Sequence, residues 1–167
     1  VMVRYTPNKA WQGKTVSEIA AINQETPAQG LMRIIRESAA PDEGATIVAT
    51  SMSETDINNF LKWPYTNVCS DGAMKGHPRG HGAFPRVLGR YVREQKLMPL
   101  ETAIHKMTSL TAENMGMQQR GLIAPGYFAD LVLFDPETII DNATVENSGL
   151  LSTGVHYVWV NGKLVYQ

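Results

Sequence analysis

The apolar residues of this chain change their period once, between about Gly116 and Gly121. Before that point they recur three and four residues apart, the spacing of helices with one buried face. After it they fall in short runs, at residues 128–134, 155–160 and 164–166. The last two runs are separated by Asn161-Gly162, which predicts a hairpin with a tight turn. The pattern is therefore α/β, helix-rich first and strand-rich at the end, and we place a boundary at the change in period.

Within the first part, residues 1–5 read as a strand entered midway, so the chain is expected to be cut from something longer. Thr15 and Glu18 form a capping box before one helix. Thr26-Pro27 opens a second, with Leu31, Ile34 and Ile35 on its apolar face. A loop is expected at 41–44 and a short strand at 47–50. Ser53 and Asp56 cap a third helix that turns Ile57, Phe60 and Leu61 inward and stops at Trp63-Pro64. Residues 67–70 read as a short buried strand. Further helices are expected at 85–94, 100–107 and 111–115.

Composition narrows the class. Hydrophobic residues make up 43% and charged residues 19% of 167, enough for an ordinary core. A formal net charge of −1 gives no global attraction to nucleic acid or anionic membrane. Cys69 is the sole cysteine, so no internal disulfide forms and the thiol does not report a compartment. The cytoplasm is the favoured expectation. No apolar run is long enough to span a bilayer as a helix.

Chemistry concentrates in residues 71–82, a glycine-rich polar loop carrying Lys75, His77, Pro78, Arg79 and His81 directly after the 67–70 segment. Asp71 stands at a strand end, where α/β architectures place catalytic carboxylates, and Gly72 leaves room for a sharp turn beside it. The alternative is a carboxylate that only caps the loop. Arg79 offers a planar guanidinium suited to bidentate capture of a carboxylate, or is an exposed loop arginine. His77 and His81 lie four apart, but zinc takes three or four ligands and this loop fixes no geometry. Cys69, His105 and His156 read as structural. Arg86, Arg90, Arg93 and Lys96 read as a solvated helix face.

Two stretches together resemble a known family. The first is Cys69-Ser70-Asp71-Gly72 followed by His77-Pro78-Arg79-Gly80-His81-Gly82 and Pro85-Arg86-Val87-Leu88. It is similar to the N-acyl-D-amino-acid deacylases, the D-aminoacylase branch. The second is Met107-Thr108-Ser109-Leu110, then Arg120-Gly121, Pro125-Gly126 and Ala129-Asp130-Leu131-Val132. It resembles the C-terminal signature of the amidohydrolase superfamily. The likeness is dense from about Met52 onward.

The resemblance implies the C-terminal portion of a (β/α)8 barrel plus strands of a small β-sandwich domain. Residues 1–50 are then an insertion within the barrel domain, 51–118 the last part of the barrel, and 119–167 the strands of the small domain. A barrel needs about 250 residues, so this chain cannot close one. Its apolar faces bearing Ile34, Phe60 and Val87 are then expected to lie uncovered. The resemblance also implies zinc-dependent hydrolysis of N-acyl-D-amino acids. The aspartate matching Asp71 moves protons beside the metal, and the arginine matching Arg79 holds the substrate carboxylate. The zinc ligands, a cysteine and histidines, fall mostly outside this chain, and Cys69 does not match that cysteine. The expected partners are a small N-acyl amino acid and the remainder of the same protein, with neither nucleic acid nor membrane. Two other readings stay open: a cyclic-amide hydrolase of the hydantoinase or dihydroorotase kind, and a non-catalytic piece that completes a partner's fold.

Overall fold

A computed structural model describes residues 2–39, 44–49, 51–72 and 77–167. The expected loop at 41–44 and strand end at Thr50 lie largely outside these, as does the centre of the 71–82 loop. Strand β1 (Met2–Tyr5) pairs antiparallel with β2 (Ala45–Ile47), which starts and ends earlier than the spacing suggested. Between them run a 3-10 turn (Lys9–Trp11), α1 (Val16–Ile22) and α2 (Pro27–Glu37). Both helices begin in complete capping boxes, Thr15 with Glu18 and Thr26 with Gln29. Such a cap contributes about 1 kcal/mol by satisfying amide groups that have no carbonyl in the first turn.

The two helices cross closely because Gly30 has no side chain: a Cβ there would sit 2.8 Å from the Ala20 Cβ. Met2, Tyr5, Trp11, Ile19 and Ile34 form the core of this lobe. The Tyr5 and Trp11 rings stack 5.1 Å apart, and the Tyr5 hydroxyl donates to Glu37 at 2.6 Å. Only part of the expected α2 face is buried. Ile34 is covered, whereas Leu31 and Ile35 are 40% and 56% exposed.

The second lobe begins with α3 (Glu54–Lys62), capped reciprocally by Ser53 and Asp56 as expected. Ile57 and Leu61 pack into the core, but Phe60 points outward at 58% exposure. Residues 66–72 join no strand ladder, and Cys69 is exposed. The buried strand expected at 67–70 is therefore absent; a strand needs a hydrogen-bonding neighbour, and none of the described strands lies beside it.

Helix α4 (Arg79–Arg86) starts well before the expected residue 85 and runs directly into a π-helix over Val87–Glu94. Pro85 lies inside α4, where it has no N–H to give the His81 carbonyl. The Ser152 hydroxyl donates to that carbonyl instead, at 2.7 Å. Helices α5 (Leu100–Met107) and α6 (Ser109–Asn114) follow. Lys106 is buried and donates to the Trp63 carbonyl at the end of α3; burial pushes its pKa below the ordinary lysine value.

The chain ends in a three-stranded antiparallel sheet of β3 (Leu131–Phe134), β4 (Val155–Val160) and β5 (Lys163–Tyr166). The hairpin turn has the predicted form, with φ of 50° at Asn161 and 77° at Gly162. Asp130 accepts the Asn161 amide at 2.8 Å, and the Gly162 amide donates to the Ala129 carbonyl at 2.9 Å. Arg120 bonds Asp130 and Asn161 together while its guanidinium lies 4.2 Å from the Phe128 ring centre. Thus Ala129-Asp130 acts here as a fastener for the hairpin. One core draws on both sides of the change in period: Val87, Leu88, Tyr91, Met98 and Ala103 pack with Ile139.

Candidate functional site

Asp71 adopts a left-handed backbone at φ 42°, a conformation tolerated by aspartate better than by most residues. The Gly72 amide donates to the Ser70 hydroxyl at 3.2 Å, closing the turn. A Cβ on Gly72 would come within 3.1 Å of the Gly80 Cα, so its absence lets the turn lie against the start of α4. That contact brings Asp71 to Arg79. The Arg79 Nη2 lies 2.7 Å from the Asp71 carboxylate, and Nε donates to the Asp71 carbonyl at 2.8 Å.

Both side chains are accessible, 74% for Asp71 and 45% for Arg79. Exposed ion pairs contribute about 0–1 kcal/mol. Opening this one is therefore cheap, and either partner can turn to a ligand. In this pair the arginine holds a carboxylate of its own chain.

His77 has a structural task. Its Nδ1 accepts the Arg79 amide at 3.1 Å, serving the first turn of α4. Burial and then the Arg79 charge push its pKa below the ordinary histidine value, against the pull of Asp71. A neutral ring keeps the lone pair that this bond needs. Among the described residues, no three His, Cys, Asp or Glu side chains gather closely enough to hold a metal ion. The described residues therefore do not fit a zinc site by themselves.

Beside Arg79 opens a cleft of about 860 Å³, within the usual range of small-molecule sites. Its wall includes the apolar side chains of Met52, Ile57, Ala83 and Val145. Arg86 reaches into it and donates to Asp141 at 2.8 Å, whose side chain is 8% exposed. Burial opposes the Arg86 charge, but the Asp141 carboxylate outweighs it and raises the guanidinium pKa. The basic residues expected to form a solvated face are instead ties: Arg90 pairs with Glu54 at 2.9 Å, and Arg93 donates to the Ile139 carbonyl at 2.6 Å. Lys96 alone of the four keeps the expected exposure. Nothing local in the sequence marks Asp141, which lies 55 residues from Arg86.

A model of the amidohydrolase family matches residues 66–166. The chain is 49% identical over 118 residues to an N-acyl-D-aspartate deacylase of Alcaligenes xylosoxydans xylosoxydans, covering 69% of this chain and 24% of that protein. It is also 49% identical over 119 residues to a D-aminoacylase of the same organism, covering 70% and 25%. Among solved structures it is similar to an N-acyl-D-glutamate deacylase from Bordetella bronchiseptica, complexed with zinc and a phosphonate mimic of the tetrahedral intermediate. That match has a TM-score of 0.84 and 37% identity, and covers 99% of this chain and 34% of the other. The chain thus spans about a quarter of the length of these curated relatives and about a third of the solved structure.

Proposed function

The chain belongs to the amidohydrolase family, and from that premise we propose that it supplies the Asp71–Arg79 part of the active site of a zinc-dependent N-acyl-D-amino-acid deacylase. The reaction is hydrolysis of the amide bond, releasing a carboxylate and a D-amino acid. The observation that carries this reading is the 2.7 Å contact between Arg79 and a carboxylate, made at an accessible site. The substrate carboxylate takes the place of Asp71 on Arg79. Asp71, released, accepts a proton from the attacking water and returns it to the departing amine. Zinc belongs to this reading through ligands outside the described residues. Relatives that cleave linear N-acyl groups favour this reaction over cyclic-amide hydrolysis.

On the same reading, residues 1–50 are an insertion, 51–118 the last part of a (β/α)8 barrel, and 119–167 strands of a small β-sandwich domain. The α/β content and the match to a deacylase structure support that assignment. The test is turnover by the full protein of matched N-acetyl-D- and N-acetyl-L-amino acids, with zinc measured by elemental analysis. Release of the D-amino acid by a zinc-containing protein is expected. Selective hydrolysis of the L-enantiomer, or of a cyclic amide alone, overturns the reading.

A further inference from the structure

The first turn of α4 carries Arg79 and is closed from outside the helix. Pro85 has no N–H for the His81 carbonyl, two residues after Arg79, and the Ser152 hydroxyl donates to it at 2.7 Å. Ser152 lies between β3 and β4, 71 residues further along the chain. Its segment is itself braced. Ile140 and Thr153 exchange two backbone hydrogen bonds, at 3.2 and 3.0 Å. The Asn142 side-chain amide donates to the Leu151 carbonyl at 2.9 Å and to the Thr153 hydroxyl at 2.7 Å. The residues on both sides of Ser152 are therefore held.

The same segment touches α4 twice more. A Cβ on Gly82 would sit 2.8 Å from the Asp141 Cβ, and Arg86 reaches the Asp141 carboxylate at 2.8 Å. Of these contacts, that of Ser152 falls closest to Arg79 along the helix. A helix bends where proline leaves a carbonyl open, and a bend in this turn would re-aim the residue that begins it. The planar guanidinium holds a carboxylate through two directed bonds, so its aim matters more than its charge. We infer that Ser152 is a positioning residue for the substrate carboxylate: its bond to the His81 carbonyl fixes the turn from which Arg79 reaches that group. This inference rests on the deacylase reading.

The test measures kcat and KM of the full protein on N-acetyl-D-leucine, which carries a single carboxylate, and on N-acetyl-D-leucinamide, which carries none. Ser152→Ala is expected to lower kcat/KM for the acid about tenfold, chiefly through KM, and to change the amide by less than about twofold. Pro85→Ala returns to the helix the N–H that can bond the His81 carbonyl. In that background Ser152→Ala is expected to change the acid by less than about twofold. Equal losses on acid and amide, equal losses in both backgrounds, or no loss at all overturn the inference and leave the deacylase reaction standing. Should Ser152→Ala not fold, Asn142→Ala takes its place, an exposed change that frees the residues on both sides of Ser152. If wild type hydrolyses neither substrate, the reaction is what fails, and calorimetry with D-leucine and D-leucinamide decides the positioning role. A preference for the acid that shrinks about tenfold in Ser152→Ala supports it. No preference in wild type, or one that the substitution leaves unchanged, overturns it.

Discussion

At the scale of single residues, Asp71 and Arg79 occupy each other in this structure, so their roles separate only when they are altered one at a time. Asp71→Asn keeps the size and removes the proton acceptor. In the full protein it is expected to lower kcat about 100- to 10,000-fold while substrate binding survives. Arg79→Lys keeps the charge and loses the planar fork. With a substrate whose carboxylate is replaced by an amide, wild type is expected to lose most of its advantage and Arg79→Lys little more. An Arg79→Lys protein that discriminates acid from amide as strongly as wild type places the carboxylate elsewhere. Both residues stand out in the sequence because the aspartate follows directly on residues 67–70 and the arginine lies in a glycine-rich run. Their partnership does not, because it depends on Gly72 lying against Gly80.

At the scale of elements, two junctions carry predictions. The π-helix over Val87–Glu94 lies so close to the 139–140 segment that a Cβ on Gly89 would sit 2.5 Å from the Ile139 carbonyl oxygen. Alanine gains about 1 kcal/mol in helix propensity over glycine. Overpacking against backbone costs about 1–3 kcal/mol. The clash wins, so Gly89→Ala is expected to lower the urea midpoint; an unchanged or raised midpoint contradicts the close approach. The second junction is the hairpin fastener. The Asn161 amide, and then Arg120, holds the Asp130 pKa below the ordinary aspartate value. A carboxyl depressed in the folded state contributes stability above its unfolded pKa and loses it as pH falls through the folded one. Wild type is thus expected to melt above Asp130→Asn at neutral pH. The gap should close as pH falls below about 4, the ordinary aspartate value, and on through the lowered folded one. A gap independent of pH means that the carboxylate charge contributes nothing to the fastening.

At the scale of the whole molecule, the uncovered apolar surface follows the expectation at Phe60 and departs from it at Ile34 and Val87. Ile34 and Val87 are buried at 3% and 6% exposure, while Phe60 and Trp63 are each 58% exposed and Ile123 is 92% exposed. Val132, Leu133 and Val165 add apolar surface on the C-terminal sheet. Among the described strands, β3 and β5 are each paired on one side only. Apolar patches and open strand edges both promote association. The 167-residue chain by itself is therefore expected to self-associate in sedimentation at micromolar concentrations. A compact monomer across that range would argue that these surfaces are too dispersed to drive contact.

The sequence by itself determined what depends on neighbours a few residues away. The Thr15 and Ser53 capping boxes, the Asn161-Gly162 turn and the change from helical to strand spacing follow from local hydrogen bonding and backbone preference. Tertiary structure decided what depends on distant partners. It covers Ile34 and leaves Leu31 and Ile35 exposed, because only part of α2 finds a surface to lie on. It starts α4 at Arg79 in spite of Gly80, Gly82 and Pro85, because Ser152 satisfies the carbonyl that proline leaves open. It turns Arg86 from a solvated residue into one wall of a charge-balanced cleft, because Asp141 returns to it from 55 residues away. Helical spacing shows which residues share a face and not what covers it; that is set by the contacts made when distant segments meet.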